Sequence, residues 1–127
     1  MIVFKPILKK NPRNLEEAGK YYAAVVSSGD IDLDELAYLS SKQSTVSKAD
    51  CYAVIITLLD LISMHLKEGK TVRLGGIGNF RVSLSSEGTP NPEELSANSI
   101  KKARILFSPG TDLKNMLKNL TYSKISE

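Results

Sequence analysis

The chain has 127 residues, 42% of them apolar, a net charge of +3 and a single cysteine, Cys51. That much apolar material fits one folded domain with a modest core and excludes a disordered chain. One cysteine excludes an internal disulfide and a thiolate metal cluster, and fits a reducing cytoplasm.

Residues 2–9, with Ile2, Phe4, Ile7 and Leu8, read as an edge strand, because Pro6 is barred from a central one. Asn11-Pro12-Arg13-Asn14 is a turn, and Tyr21 to Val26 is β-prone. Asp32 and Glu35 have capping-box spacing, with Ile31 and Leu36 placed to staple the cap, so a short helix runs to about Lys42. Ser47, with Asp50 three residues on, caps a second and longer helix. Cys51, Ile55, Leu58, Leu59, Ile62 and Leu66 recur at helical steps on it, and Val54 and Leu61 widen the apolar face. A helix apolar over most of its circumference needs two covering surfaces. The first helix and a sheet supply one; a second subunit is the natural other. No apolar run reads as long enough to span a membrane, and Met1 to Pro6 lacks the layout of a secretory signal.

Gly69 suits the left-handed turn that ends a helix. Val72 and Leu74 then alternate with Thr71 and Arg73 in a strand. Gly75, Gly76 and Gly78 permit a tight turn lying close to another backbone. The next strand puts Phe80, Val82 and Leu84 on one face and Arg81, Ser83 and Ser85 on the other. A polar, turn-rich stretch from Ser86 to Glu94 follows. Ile100 to Phe107 is a returning strand carrying Lys101, Lys102 and Arg104. Ser108-Pro109 reads as the start of a last helix with Leu113, Met116, Leu117 and Leu120, and residues 123–127 as a mobile tail.

Charge is unevenly spread: residues 1–20 carry +3, residues 21–68 carry −4 and residues 69–127 carry +4. An acidic helical part beside a basic hairpin fits a polyanion partner on the strand side.

Catalysis finds no support. His65, the only histidine, reads as a surface or interface residue. Cys51 on an apolar helical face reads as a small buried hydrophobe. Asp30, Asp32, Asp34 and Glu35 lack the full calcium-loop pattern and are better explained by helix capping. The glycine turn joins strand to strand without the Lys-Ser/Thr of a phosphate loop. No enzyme activity, cofactor, metal site or small-molecule substrate is expected.

From about Asp32 to Leu120 the chain resembles the HU/IHF family of bacterial histone-like DNA-binding proteins, in a longer HU-related branch with an N-terminal extension. Leu66-Lys67-Glu68-Gly69 and Val72-Arg73-Leu74 match the family's helix end and first strand. Gly76-Ile77-Gly78-Asn79-Phe80 matches its Gly-Phe-Gly-Thr-Phe turn, with Ile77 for the first Phe. Asn91-Pro92 falls where the family has Asn-Pro at an arm tip. Phe107, Gly110, Leu113 and Lys114 match its closing Phe-x-x-Gly-x-x-Leu-Lys.

The resemblance implies an α+β fold. It is an intertwined homodimer with two N-terminal helices, a β-hairpin arm sheet and a C-terminal helix, here with extra N-terminal strands. Residues 1–30 would be an extension packed on the HU-like domain of residues 31–122. The implied function is architectural binding of double-stranded DNA in the cytoplasmic nucleoid, without sequence specificity and with no membrane partner. Arg73, Arg81, Asn91, Pro92, Lys101, Lys102, Arg104 and Lys114 would contact DNA. The chain departs from the pattern at Ser85, Gly88 and Pro90, where the family has basic residues, and Glu87, Glu93 and Glu94 make the arm acidic. A structural or protein-interaction module that keeps the dimer but binds DNA weakly is the alternative.

Overall fold

The computed structural model describes residues 1–126, and Ser47 opens its longest element. Ser47 is extended and its Oγ accepts the Asp50 N–H at 3.1 Å, so one orphan donor of helix α2 (Lys48–Lys67) is satisfied. The helix ends as Gly69 allows. With φ of +83°, Gly69 donates to the Leu66 carbonyl at 3.0 Å, and Lys70 donates to the His65 carbonyl at 3.1 Å. These two bonds close carbonyls that a helix end otherwise leaves open. Helix α1 (Leu33–Gln43) precedes it, tied by an exposed Lys48–Asp34 ion pair at 3.0 Å.

Among the described residues only Ala37 and Leu66 form a buried apolar core, while Val54, Leu58, Leu59, Leu61 and Met64 of α2 stay exposed. The expectation that no apolar run reaches membrane length needs correcting: by length and composition alone, the 20-residue α2 suffices. The reason is its apolar circumference, which no single stripe confines.

Strands β3 (Val72–Arg73), β4 (Gly78–Ser86) and β5 (Ile100–Pro109) form one antiparallel sheet in that order. The glycine turn between β3 and β4 does lie against another backbone. Gly110 donates to the Ile77 carbonyl at 2.9 Å, and a Cβ on Gly110 would stand 2.7 Å from the Gly76 carbonyl carbon. Pro109 corrects the helix start read from the sequence. It ends β5 opposite Gly78, and helix α3 (Thr111–Lys118) begins later, with the Gly110 carbonyl accepting the Lys114 N–H at 2.9 Å. Pairing with β4 continues through Ser108 and Pro109, so the local cap signal loses.

A second sheet joins β1 (Ile2–Lys9), β2 (Lys20–Val26) and β6 (Tyr122–Lys124), in the order β2-β1-β6. Two expectations change here. The stretch read as a mobile tail supplies Ser123 and Lys124 to β6, paired parallel with Ile2–Phe4; the last tail residue, Glu127, lies outside the described residues. Pro6 therefore belongs to a central strand. It is tolerated because Ile2 donates to Thr121 and Phe4 accepts from Ile125, so even-numbered β1 residues aim their backbone groups toward β6. β6 pairs only with Ile2–Phe4, so no ladder bond is lost at Pro6.

The chain divides into two compact units. Met1–Asp32 with the chain from Leu117 onward make one; Leu33–Met116 make the other.

Candidate nucleic-acid interface

Opposed residues of an antiparallel pair share a face, so register decides which side chains assemble. Arg81 opposes Leu106, Ser83 opposes Arg104, Ser85 opposes Lys102, and Arg73 opposes Asn79. One face of the sheet β3-β4-β5 therefore gathers Arg73, Arg81, Lys102 and Arg104 around Asn79, Ser83, Ser85 and Ser108. The four cations are exposed. None of them forms an ion pair with a described residue; the ion pairs found involve Asp34 and Glu68 instead. Four guanidinium and ammonium groups with hydroxyl and amide neighbours, on a rigid sheet, make a surface suited to phosphate oxygens.

Lys101 does not join them. The ladder shifts between Ser85, opposite Lys102, and Ser86, opposite Ile100, leaving Lys101 as the unpaired residue of a bulge. By alternation it falls on the side of Ala103. Sequence proximity grouped Lys101 with Lys102 and Arg104; register separates it. Asn91 and Pro92 lie in the connection between β4 and β5, exposed. That connection is not a pair of extended strands. Glu87 donates to the Ser99 carbonyl at 2.8 Å, and beyond that rung the chain folds into two 3₁₀ turns, Pro92–Glu94 and Ala97–Ser99. The Asn91 amide approaches Glu94 Oε1 at 3.4 Å, and Thr89 Oγ1 donates to the Asn91 carbonyl at 2.8 Å. Glu87, Glu93 and Glu94 are exposed on the same connection. Lys114 is exposed on α3.

The opposite sheet face is apolar, with Val72, Phe80, Val82 and Leu84 meeting Ala103, Ile105 and Phe107 across the ladders. The Phe80 and Phe107 ring centroids are 4.9 Å apart at a 39° tilt. Phe80, Val82 and Ile105, with Leu59, Ile62 and Leu66 of α2, line an open cavity of about 600 Å³. Sequence reasoning missed Asn79 and Ser108 as members of the cationic face. Alternation along β4 was readable; the pairing that adds β5 was not. His65, at 3.8 Å from Glu68, and Cys51, whose thiol is 4.0 Å from the Val46 carbonyl, stand apart from this face.

Comparison with known proteins matches residues 1–124 to the family model HU-HIG, an HU domain fused to wHTH, Ig, or Glycine-rich motif. The DNA-binding protein HU of Buchnera aphidicola is 34% identical over 88 residues, spanning 68% of this chain and 96% of that protein. Integration host factor subunit alpha of Haemophilus influenzae is 34% identical over 84 residues, spanning 65% of this chain and 86% of that one. Among solved structures, a Bacteroides vulgatus protein assigned as DNA-binding superposes on 97% of the chain with a TM-score of 0.65 and 14% identity. The chain spans about half (48%) of that protein's length. HU of Anabaena, crystallised with DNA, superposes with a TM-score of 0.55 and 21% identity, covering 71% of this chain and all of that one.

Proposed function

The chain belongs to the HU-HIG family of HU-domain proteins, within the HU/IHF group, and from that premise we propose that it is a non-enzymatic architectural DNA-binding protein of the bacterial nucleoid. It acts in the cytoplasm, without sequence specificity and without a small-molecule substrate. The observation that carries this reading is the segregation of Arg73, Arg81, Lys102 and Arg104 onto one sheet face, opposite an apolar one. Cations on such a face neutralise phosphates and release counterions, which drives binding that is indifferent to base sequence. Lys114 and Lys101 carry their charge outside that face, and Asn91 and Pro92 lie against the minor groove without deep insertion, because Glu87, Glu93 and Glu94 are exposed on the same connection. A homodimer is supported by the exposed α2 side chains and by the cavity between α2 and the apolar sheet face, which a second protomer's apolar residues would fill. Burying one such side chain contributes roughly 1.5–3 kcal/mol, so covering several is worth a large part of a small domain's stability.

A second reading has its own observation. Glu87, Glu93 and Glu94 stand exposed on the connection that carries Pro92, and like charge near phosphate opposes deep insertion. On that reading the protein keeps the HU-like dimer as an interaction module and binds DNA weakly. Gel-shift titration with linear, bent and nicked duplexes separates the two. Binding to all three that weakens steeply with salt supports the architectural reading; no shift at low salt overturns it.

A further inference from the structure

The edges of the two sheets are unlike. The outer edge of β5 carries Lys101, Lys102, Arg104, a bulge and Pro109, devices that discourage a second strand from adding there. β6 is three residues long. β2 has none of these protections: Lys20-Tyr21-Tyr22-Ala23-Ala24-Val25-Val26 is an uninterrupted edge strand with one charge, at its end. Its backbone orientation follows from β1. Odd-numbered β1 residues aim toward β2, and Val3, Lys5, Ile7 and Lys9 oppose Val26, Ala24, Tyr22 and Lys20. Those four β2 residues spend their backbone groups on β1. The N–H and C=O groups of Tyr21, Ala23 and Val25 point outward, and no described backbone group bonds them. Tyr21 is 71% and Val25 68% exposed.

We propose that β2 is a self-pairing edge, at which two copies of this chain join antiparallel about a two-fold axis through Ala23. The outward groups dictate this register, since only outward-facing residues can exchange hydrogen bonds. With Ala23 opposite Ala23 of the copy, Tyr21 lies opposite Val25 and Val25 opposite Tyr21, so every outward N–H and C=O finds a partner. The pairing is self-complementary in side chains as well. An aromatic ring meets a β-branched residue twice, which favours cross-strand association. The small Ala23 sits on the axis, and Lys20 lies opposite Val26, so no like charges meet. A two-fold contact of this kind presents the same patch from both copies. It extends two three-stranded sheets into one and uses neither the cationic face nor the cavity beside α2, so it does not depend on the DNA-binding reading.

Ala23→Pro tests it on the full chain. Ala23 spends no backbone bond on β1, so proline there preserves the β1–β2 ladder while removing the donor on the axis. In sedimentation equilibrium at rising concentration, the unaltered chain should reach at least about twice the mass of Ala23→Pro. Equal masses at every concentration would overturn the proposal. Cross-linking covers the case in which the proline variant misfolds. In a Cys51→Ala background, Ala23→Cys places two thiols on a hydrogen-bonded pair with Cα atoms about 5.5 Å apart, within the range a disulfide spans. Ala24→Cys turns its thiol to the other face and off the axis. Mild oxidation should link Ala23→Cys into pairs and leave Ala24→Cys unlinked. Equal yields from the two would count against the register and the proposal with it.

Discussion

Register makes a prediction that sequence proximity does not. Lys101 and Lys102 are neighbours in the chain, yet only Lys102 shares a face with Arg104, Arg81 and Arg73. Each phosphate left without its cation flattens the slope of log K against log salt by about 0.9. In a homodimer, Lys102→Ala removes one cation per protomer and should flatten the slope by about 1.8. Lys102→Ala with Arg104→Ala should flatten it by roughly 3.6. Between about 50 and 200 mM salt, that difference means the unaltered protein loses on the order of a hundredfold more affinity than the double variant. Lys101→Ala, in the bulge, should leave the slope unchanged. All three side chains are exposed, so stability should move by no more than about 0.5 kcal/mol and thermal unfolding serves as the control. The assay is fluorescence anisotropy of a labelled duplex across a salt series, repeated on two unrelated sequences. If Lys101→Ala flattens the slope as much as Lys102→Ala does, the face defined by the β4–β5 ladder is not the surface that meets DNA.

Ile105→Asp, on the apolar side of the same sheet and made in the Ala23→Pro background so that β2 cannot pair, should dissociate the proposed dimer and make thermal unfolding lose its dependence on protein concentration; a stable dimer in sedimentation velocity would contradict the interface. Pro92→Ala should change affinity and bending little, because the acids around it oppose insertion; a large bend that collapses in this variant, measured by energy transfer between duplex ends, would show that the wedge works despite them. Glu87→Lys, Glu93→Lys and Glu94→Lys together should strengthen binding, and a titration showing no gain would remove the acids from the argument. Gly69→Ala meets open space but must hold φ at +83°, so it should cost about 1–2 kcal/mol in urea unfolding, from the backbone alone.

The period of α2, the Ser47 cap, the stop at Gly69, and the alternation of β4 were all legible in the sequence. Each is local: a hydrogen bond three residues away, a permitted φ, a side chain every second position. The family was legible for a related reason, since its marks are local motifs in a fixed order, with Gly76 to Phe80 at the centre. The cationic face was legible only by half. Arg81, Ser83 and Ser85 followed from alternation in one strand, but adding Lys102 and Arg104 while excluding Lys101 required the ladder to β5 and its bulge. The same holds for β6, whose three residues carry little strand signal and are held by pairing with Ile2–Phe4 at the far end of the chain. Pro109 and Pro6 show the limit most plainly. Each carried a correct local rule, and each was placed by a neighbouring strand that offered hydrogen bonds elsewhere. Pairing between strands distant in sequence is decided by hydrogen bonds and burial shared between segments, and no single segment encodes its partner.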